Sequence, residues 1–136
     1  MLSRKKARDS VYKLIYEYLF QREVNEKSLL MLTSVEISED DLNYINTVYY
    51  GIIEKYDELI EIISKFQGKF PVDRIFKLDL SALLLATYEM KYIENIPMSV
   101  SISEAVELVK QYSTDKSHSY VNGILSSIYK MLEAEK

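Results

Sequence analysis

The amino-acid sequence predicts an all-α fold, on three observations. The 136 residues include only 3 glycines and 2 prolines, too few for a sheet protein with many turns. Apolar residues recur at spacings of three and four along every long segment. No long segment shows the period-two alternation of a half-buried strand. Six to seven helices joined by short connections then form two small packed sub-bundles. The length suits one domain spanning residues 1–136, large enough to bury a core without staples.

The first helix is expected from Arg4 to Phe20, with Ala7, Val11, Leu14, Ile15 and Tyr18 as its core stripe. At 100° per residue, Lys5, Arg8, Tyr12 and Tyr16 share a neighbouring flank. Two cations and two aromatic rings on one face suit single-stranded nucleic acid, with cations on phosphates and rings on bases. The same spacing also suits tyrosines edging the core and cations snorkelling past them. Gln21 to Asn25 is a polar connection, Ser28 to Leu32 a short second helix, and Thr33 to Glu36 a link.

Ser38 and Asp41 open the longest periodic segment, from Leu42 through Ile45, Tyr49, Ile52, Tyr56, Leu59 and Ile63 to Phe66. Its spacing fits a coiled-coil seam. Val48, Ile53, Ile60 and Ile62 widen the stripe beyond two positions, which favours one long bundle helix, or two broken near Gly51 to Asp57. Val72 to Phe76 reads as a helical turn. Lys77 to Ile93 is apolar on nearly every face, so it is expected to be buried all round or under a partner. Asp79 lies in its first turn, where the helix dipole favours a carboxylate.

Asn95, Ile96 and Pro97 break that helix. Ser101 and Glu104 are spaced as a capping box, which places the next helix start at Ser101. Ile102, Ala105, Val106, Val109 and Tyr112 follow at helical spacing. Thr114 to Ser119 reads as a polar connection containing Ser117 and His118. Val121, Leu125, Ile128 and Leu132 resume the period. Asn122-Gly123 is a hairpin signal, but its flanks do not alternate. Gly123 therefore reads as a helical glycine, about 1 kcal/mol worse than alanine, implying a close helix approach or exposed backbone.

Charge is unevenly placed. Residues 1–13 hold Arg4, Lys5, Lys6, Arg8 and Lys13 against Asp9, a net +4, leaving −8 on the remainder of a chain whose total is −4. Cations at a helix N-terminus oppose the macrodipole, so this arm points to an anionic partner.

Little in the sequence speaks for catalysis. There is no cysteine and one histidine, His118, so neither a thiolate nor a His-rich metal site is available. His118 in a polar segment reads as a surface or capping residue. No phosphate-binding glycine loop or nucleophile motif occurs. No stretch reaches the roughly 18 apolar residues of a membrane span, and the charged N-terminus lacks the apolar core of a secretory signal. A soluble cytoplasmic protein without cofactor, and not an enzyme, is expected.

Several blocks resemble the NusB family of transcription antitermination factors, in matching order. RKKARDSVYKLIY at 4–16 resembles the family's basic opening, with Tyr16 at its tyrosine position. FPVDRI at 70–75 resembles a W-x-[LV]-D-R-[LI] block with Phe70 for Trp. LDLSALLLATYEM at 78–90 resembles the helix ending A-x-Y-E-[LM]. EAVELVK at 104–110, a polar linker and SHSYVNGIL at 117–125 resemble its C-terminal signature, with Ser103 for the usual Asn.

The resemblance implies two three-helix sub-bundles. It also implies binding to the boxA element of nascent ribosomal RNA, as a heterodimer with the small-subunit ribosomal protein also called NusE, in an antitermination complex on RNA polymerase. Carried over by position, Arg4, Lys5, Lys6 and Arg8 form the RNA-binding arm. Ser117, His118 and Tyr120 form a second RNA-contacting segment, and Tyr16 and Asp79 meet the ribosomal protein. Lys116 replaces a common acid, which adds a phosphate contact. Leu80 and Leu84 replace frequent arginines, and a greasier helix face would favour a homodimer. The alternative function is a helical adaptor or homodimer without specific RNA binding, which leaves the basic arm unexplained. The chain is too short to carry the methyltransferase domain to which a related fold is fused.

Overall fold

The computed structural model describes residues 3–68 and 71–136. Among them the order is α1 (Arg4–Gln21), α2 (Glu26–Thr33), α3 (Glu39–Glu54), α4 (Tyr56–Ser64), a 3-10 turn (Val72–Arg74), α5 (Lys77–Tyr92), α6 (Met98–Tyr112) and α7 (Ser117–Ala134). No strand occurs among the described residues. Phe70 of the FPVDRI block lies outside them.

Local chemistry starts the first three helices. The Ser3 hydroxyl accepts from the Lys6 amide at 3.2 Å. Asn25 Oδ1 accepts from Ser28 at 3.1 Å, and Ser38 Oγ accepts from Asp41 at 3.1 Å. Each bond satisfies an orphan N–H of a first turn. α1 stops at Arg22, which adopts a left-handed φ of 60° and returns its N–H to Tyr18.

The periodic stretch from Ser38 to Phe66 is two helices, broken at Lys55. Extra apolar positions are why a continuous seam fails. α3 packs on both α1 and α5, whereas α4 packs on α5, and a straight rod could not keep both stripes on those neighbours. Gly51 sits just before the break under the ring of Tyr88. A Cβ there would lie 2.1 Å from the tyrosine oxygen, so this glycine permits a close approach. Gly123 does not: a Cβ on it meets nothing within 4 Å.

α5 is the axis of the molecule. It contacts α1, α3, α4, α6 and α7. Leu83, Leu84 and Leu85 are essentially sealed from solvent. α1, α2 and α3 gather on one side of it, and α6 and α7 with α4 on the other. Leu80 and Leu84 both face the core, so they do not build the exposed dimer face that outward leucines would offer.

Two expected boundaries are corrected. α6 starts at Met98 after Pro97, one turn before Ser101. The Ser101 amide already bonds to the Pro97 carbonyl, so its hydroxyl caps nothing. It is buried and donates to Glu89 at 2.8 Å, while Glu104 faces α1. The proline presets the backbone at φ −57° and supplies the start that the serine was expected to give. α7 likewise begins at Ser117, so His118 and Tyr120 belong to its first turns and the connection is only Ser113 to Lys116. Ser117 Oγ accepts from the Thr114 amide at 3.3 Å and shares hydrogen bonds with the Ser113 and Thr114 hydroxyls, both at 2.9 Å. That closed knot of hydroxyls removes polar groups from solvent and allows the helix to start early.

Candidate nucleic-acid interface

The arm at the start of α1 is not a free cluster of cations. Arg4 Nε donates to Asp41 at 2.7 Å and its Nη2 to Asp40 at 2.8 Å, both from the first turn of α3. Its guanidinium lies 4.5 Å from the centre of the Tyr44 ring. Lys5 reaches Glu104 of α6 at 3.2 Å. Lys6 is exposed, with no acid within ion-pairing reach among the described residues.

Arg8 corrects the flank expected from spacing. Its side chain is only 5% exposed and bonds Glu89, itself 0% exposed, through Nε at 2.9 Å and Nη2 at 3.3 Å. Glu104 adds a contact at 3.4 Å. The Tyr44 hydroxyl and the Ser101 hydroxyl also donate to Glu89. Burial alone would lower the Arg8 pKa. The Glu89 hydrogen bond and the negative charges of Glu89 and Glu104 outweigh it and hold the pKa above its ordinary value. The Tyr44 hydroxyl is pushed the same way, by burial first and then by Glu89. A buried guanidinium committed to a buried carboxylate is part of the interior, not a hand extended to a phosphate.

Tyr12 is corrected for the same reason. It is 1% exposed, its hydroxyl donates to the Leu78 carbonyl at 2.8 Å, and its ring stacks on Tyr112 with centroids 5.6 Å apart. Burial and the nearby Asp79 raise its pKa. No face is left for a base. The spacing was right about which residues share a flank, but α3, α5 and α6 cover that flank.

The second segment sits elsewhere. Arg8 pairs with Glu89 near one end of α5, while Asp79 at the other end accepts from Ser113 at 2.7 Å, next to Ser117. Ten residues of helix separate those ends, about 15 Å. Lys116 is exposed, His118 half-buried and Tyr120 partly exposed. Ser117 is 2% exposed and serves the hydroxyl knot. Between the two ends, the exposed Lys13 pairs with Asp9 at 2.9 Å.

The α7 end also carries two adjoining grooves. One, of about 440 Å³, runs between Arg74, Phe76, Asp79, Lys116 and Tyr120. The other, of about 520 Å³, is lined by Tyr16, Phe20, Phe76 and Lys77. Phe20 and Phe76 are 58% and 62% exposed. Tyr16 meets Phe20 edge-on at 5.0 Å, and the Lys77 ammonium lies 5.1 Å from the Phe20 ring centre. Tyr16 and Asp79, expected together on sequence resemblance, thus flank one cationic, aromatic surface, although Asp79 is only 3% exposed. Phe20 and Phe76 were missed from sequence. Tyr16 and Phe20 at i and i+4 was the signal available. Tyr44, Glu89 and the acids at 40, 41 and 104 were missed too, because nothing local marks an ion pair between helices.

The sequence profile of the NusB family matches residues 5–130. The chain belongs to the NusB family. The transcription antitermination protein NusB of Finegoldia magna is 38% identical over 133 residues, covering 97% of both chains. Among solved structures, NusB of T. maritima superposes with a TM-score of 0.84 at 30% identity, over 95% of this chain and 92% of that one. A NusB solved with NusE and double-stranded RNA also superposes at 0.84, with 25% identity over 94% and 96% of the two chains. The all-helical architecture is therefore that of NusB proteins.

Proposed function

We propose that this chain is a transcription antitermination factor. It binds the boxA element of nascent ribosomal transcripts together with NusE, within a complex on elongating RNA polymerase. The observation that carries this reading is the near full-length kinship with NusB antitermination proteins, one of them captured with NusE and RNA. In this reading residues 1–136 act as one unit, in the cytoplasm, by binding and without catalysis.

Arg4, Lys5 and Lys6 meet phosphates at one end of the surface. Lys116, His118 and Tyr120 meet RNA at the other, where the Tyr120 ring offers a stacking face. Arg8, Tyr12 and Ser117 support these segments from within. Tyr16 and Asp79 mark the NusE face, with Phe20 and Phe76 as exposed aromatic anchors of the kind that dominate interfaces.

The test is fluorescence anisotropy of labelled boxA RNA against a scrambled control, with and without purified NusE. Preferential binding that NusE tightens is the expected result. Equal weak binding to both RNAs, unmoved by NusE, would replace this reading with that of a helical adaptor.

A further inference from the structure

We infer that Asp40 and Glu104 are affinity-setting residues: they hold the arm's cations in the free protein, and RNA phosphates replace them on binding. This rests on the RNA-binding reading above. The acids lie on different helices, α3 and α6, and both reach across to α1. Each pair meets solvent: Asp40 is 90% exposed and Lys5 68%. A carboxylate on a guanidinium or ammonium makes the same charge-assisted hydrogen bonds as a phosphate oxygen, so one can replace the other without a change of fold.

The geometry separates what exchanges from what stays. Arg4 keeps Nε on Asp41 and its guanidinium against the Tyr44 ring, while Nη2 points to Asp40. Releasing Asp40 frees one edge of a guanidinium already oriented by Asp41 and Tyr44. Among the described residues Lys5 is held by Glu104 alone. Arg8 stays, because Glu89 is sealed beneath it.

Each acid therefore charges an entry fee against any polyanion. A ligand that offers one phosphate at a time gains little beyond the pair it breaks, whereas one that presents phosphates to Arg4, Lys5 and Lys6 together gains at all three.

The experiment compares the full chain with the D40N/E104Q variant by boxA-RNA anisotropy at low salt. A second variant, E61Q/E133Q, makes the same change in net charge at exposed positions on α4 and α7. D40N/E104Q is expected to bind about two- to fivefold tighter per acid removed, and E61Q/E133Q to stay within about twofold of the wild type. The gain must vanish when Arg4 and Lys5 are alanine. A gain that survives in that background means the acids act by plain repulsion of RNA, and the inference falls. It falls equally if D40N/E104Q, with an unchanged melting curve, binds no tighter. No RNA binding by the wild-type chain with NusE present would instead overturn the proposed function.

Discussion

At the scale of single residues, the most constrained group is Glu89. It is fully buried and receives hydrogen bonds from Arg8, Tyr44 and Ser101. Removing one partner of such a pair leaves a buried charge without compensation, which costs about 3–5 kcal/mol. Urea unfolding of E89A should show a loss of that size, while an R8M/E89L double variant should recover most of it. The two central glycines give opposite expectations. G51A pushes a methyl group into the Tyr88 ring and should destabilise by about 1–3 kcal/mol. G123A meets open space on α7 and should stabilise by up to about 1 kcal/mol. Thermal melts of both variants, read side by side, check the pair.

At the scale of elements, α4 is fastened to α5 by Glu58. Its carboxylate accepts from Lys91 at 2.7 Å and from the Tyr92 hydroxyl. The Lys91 hydrogen bond, then that of Tyr92, lowers its pKa below the ordinary 4.5. A lowered folded-state value favours the folded chain wherever the carboxylate is ionised. That stability is present above pH 4.5 and lost as pH falls through the lowered value. E58Q should therefore show a smaller drop in unfolding free energy between neutral and acid pH than the wild type; an equal drop would mean the contact is not formed in solution. The elements also show what is legible locally. The cap at Ser38 lies beside the helix it starts and its spacing with Asp41 gives it away, whereas the cap at Asn25 starts α2 at Glu26, two residues before the Ser28 start expected from spacing. Ser101 shows the limit. Its capping spacing with Glu104 is genuine, but Pro97 starts the helix first and both side chains turn to other helices.

At the scale of the whole molecule, the two segments assigned to RNA lie at opposite ends of α5, and the aromatic grooves adjoin the second. RNA that meets both must run along the surface rather than sit at one spot. Replacing Arg4, Lys5 and Lys6 together by alanine should lower the slope of log K against log salt by about 2, with boxA affinity falling at least tenfold. R8A is expected to weaken binding only in proportion to the protein it unfolds. A salt slope unchanged in the triple variant would place the RNA elsewhere on the surface. No helix among the described residues is long and apolar enough to cross a membrane.

The sequence by itself determined the helical class, the core stripe of α1, the buried character of α5 and the family. These are properties of spacing along one chain, which a 3.6-residue period and short motifs record directly. Only the tertiary structure decided what the flank of α1 does. Lys5, Arg8, Tyr12 and Tyr16 share that flank on any helical wheel, yet α3, α5 and α6 lay Tyr44, Glu89, Glu104 and Tyr112 against it. Arg8 and Tyr12 were thereby drawn into the interior and Lys5 tethered at the surface. Leu80 and Leu84 were settled in the same way, as core. A side chain's period shows which way it points from its own helix. Whether it meets water, a carboxylate or another ring depends on helices many residues away, and no local pattern encodes that.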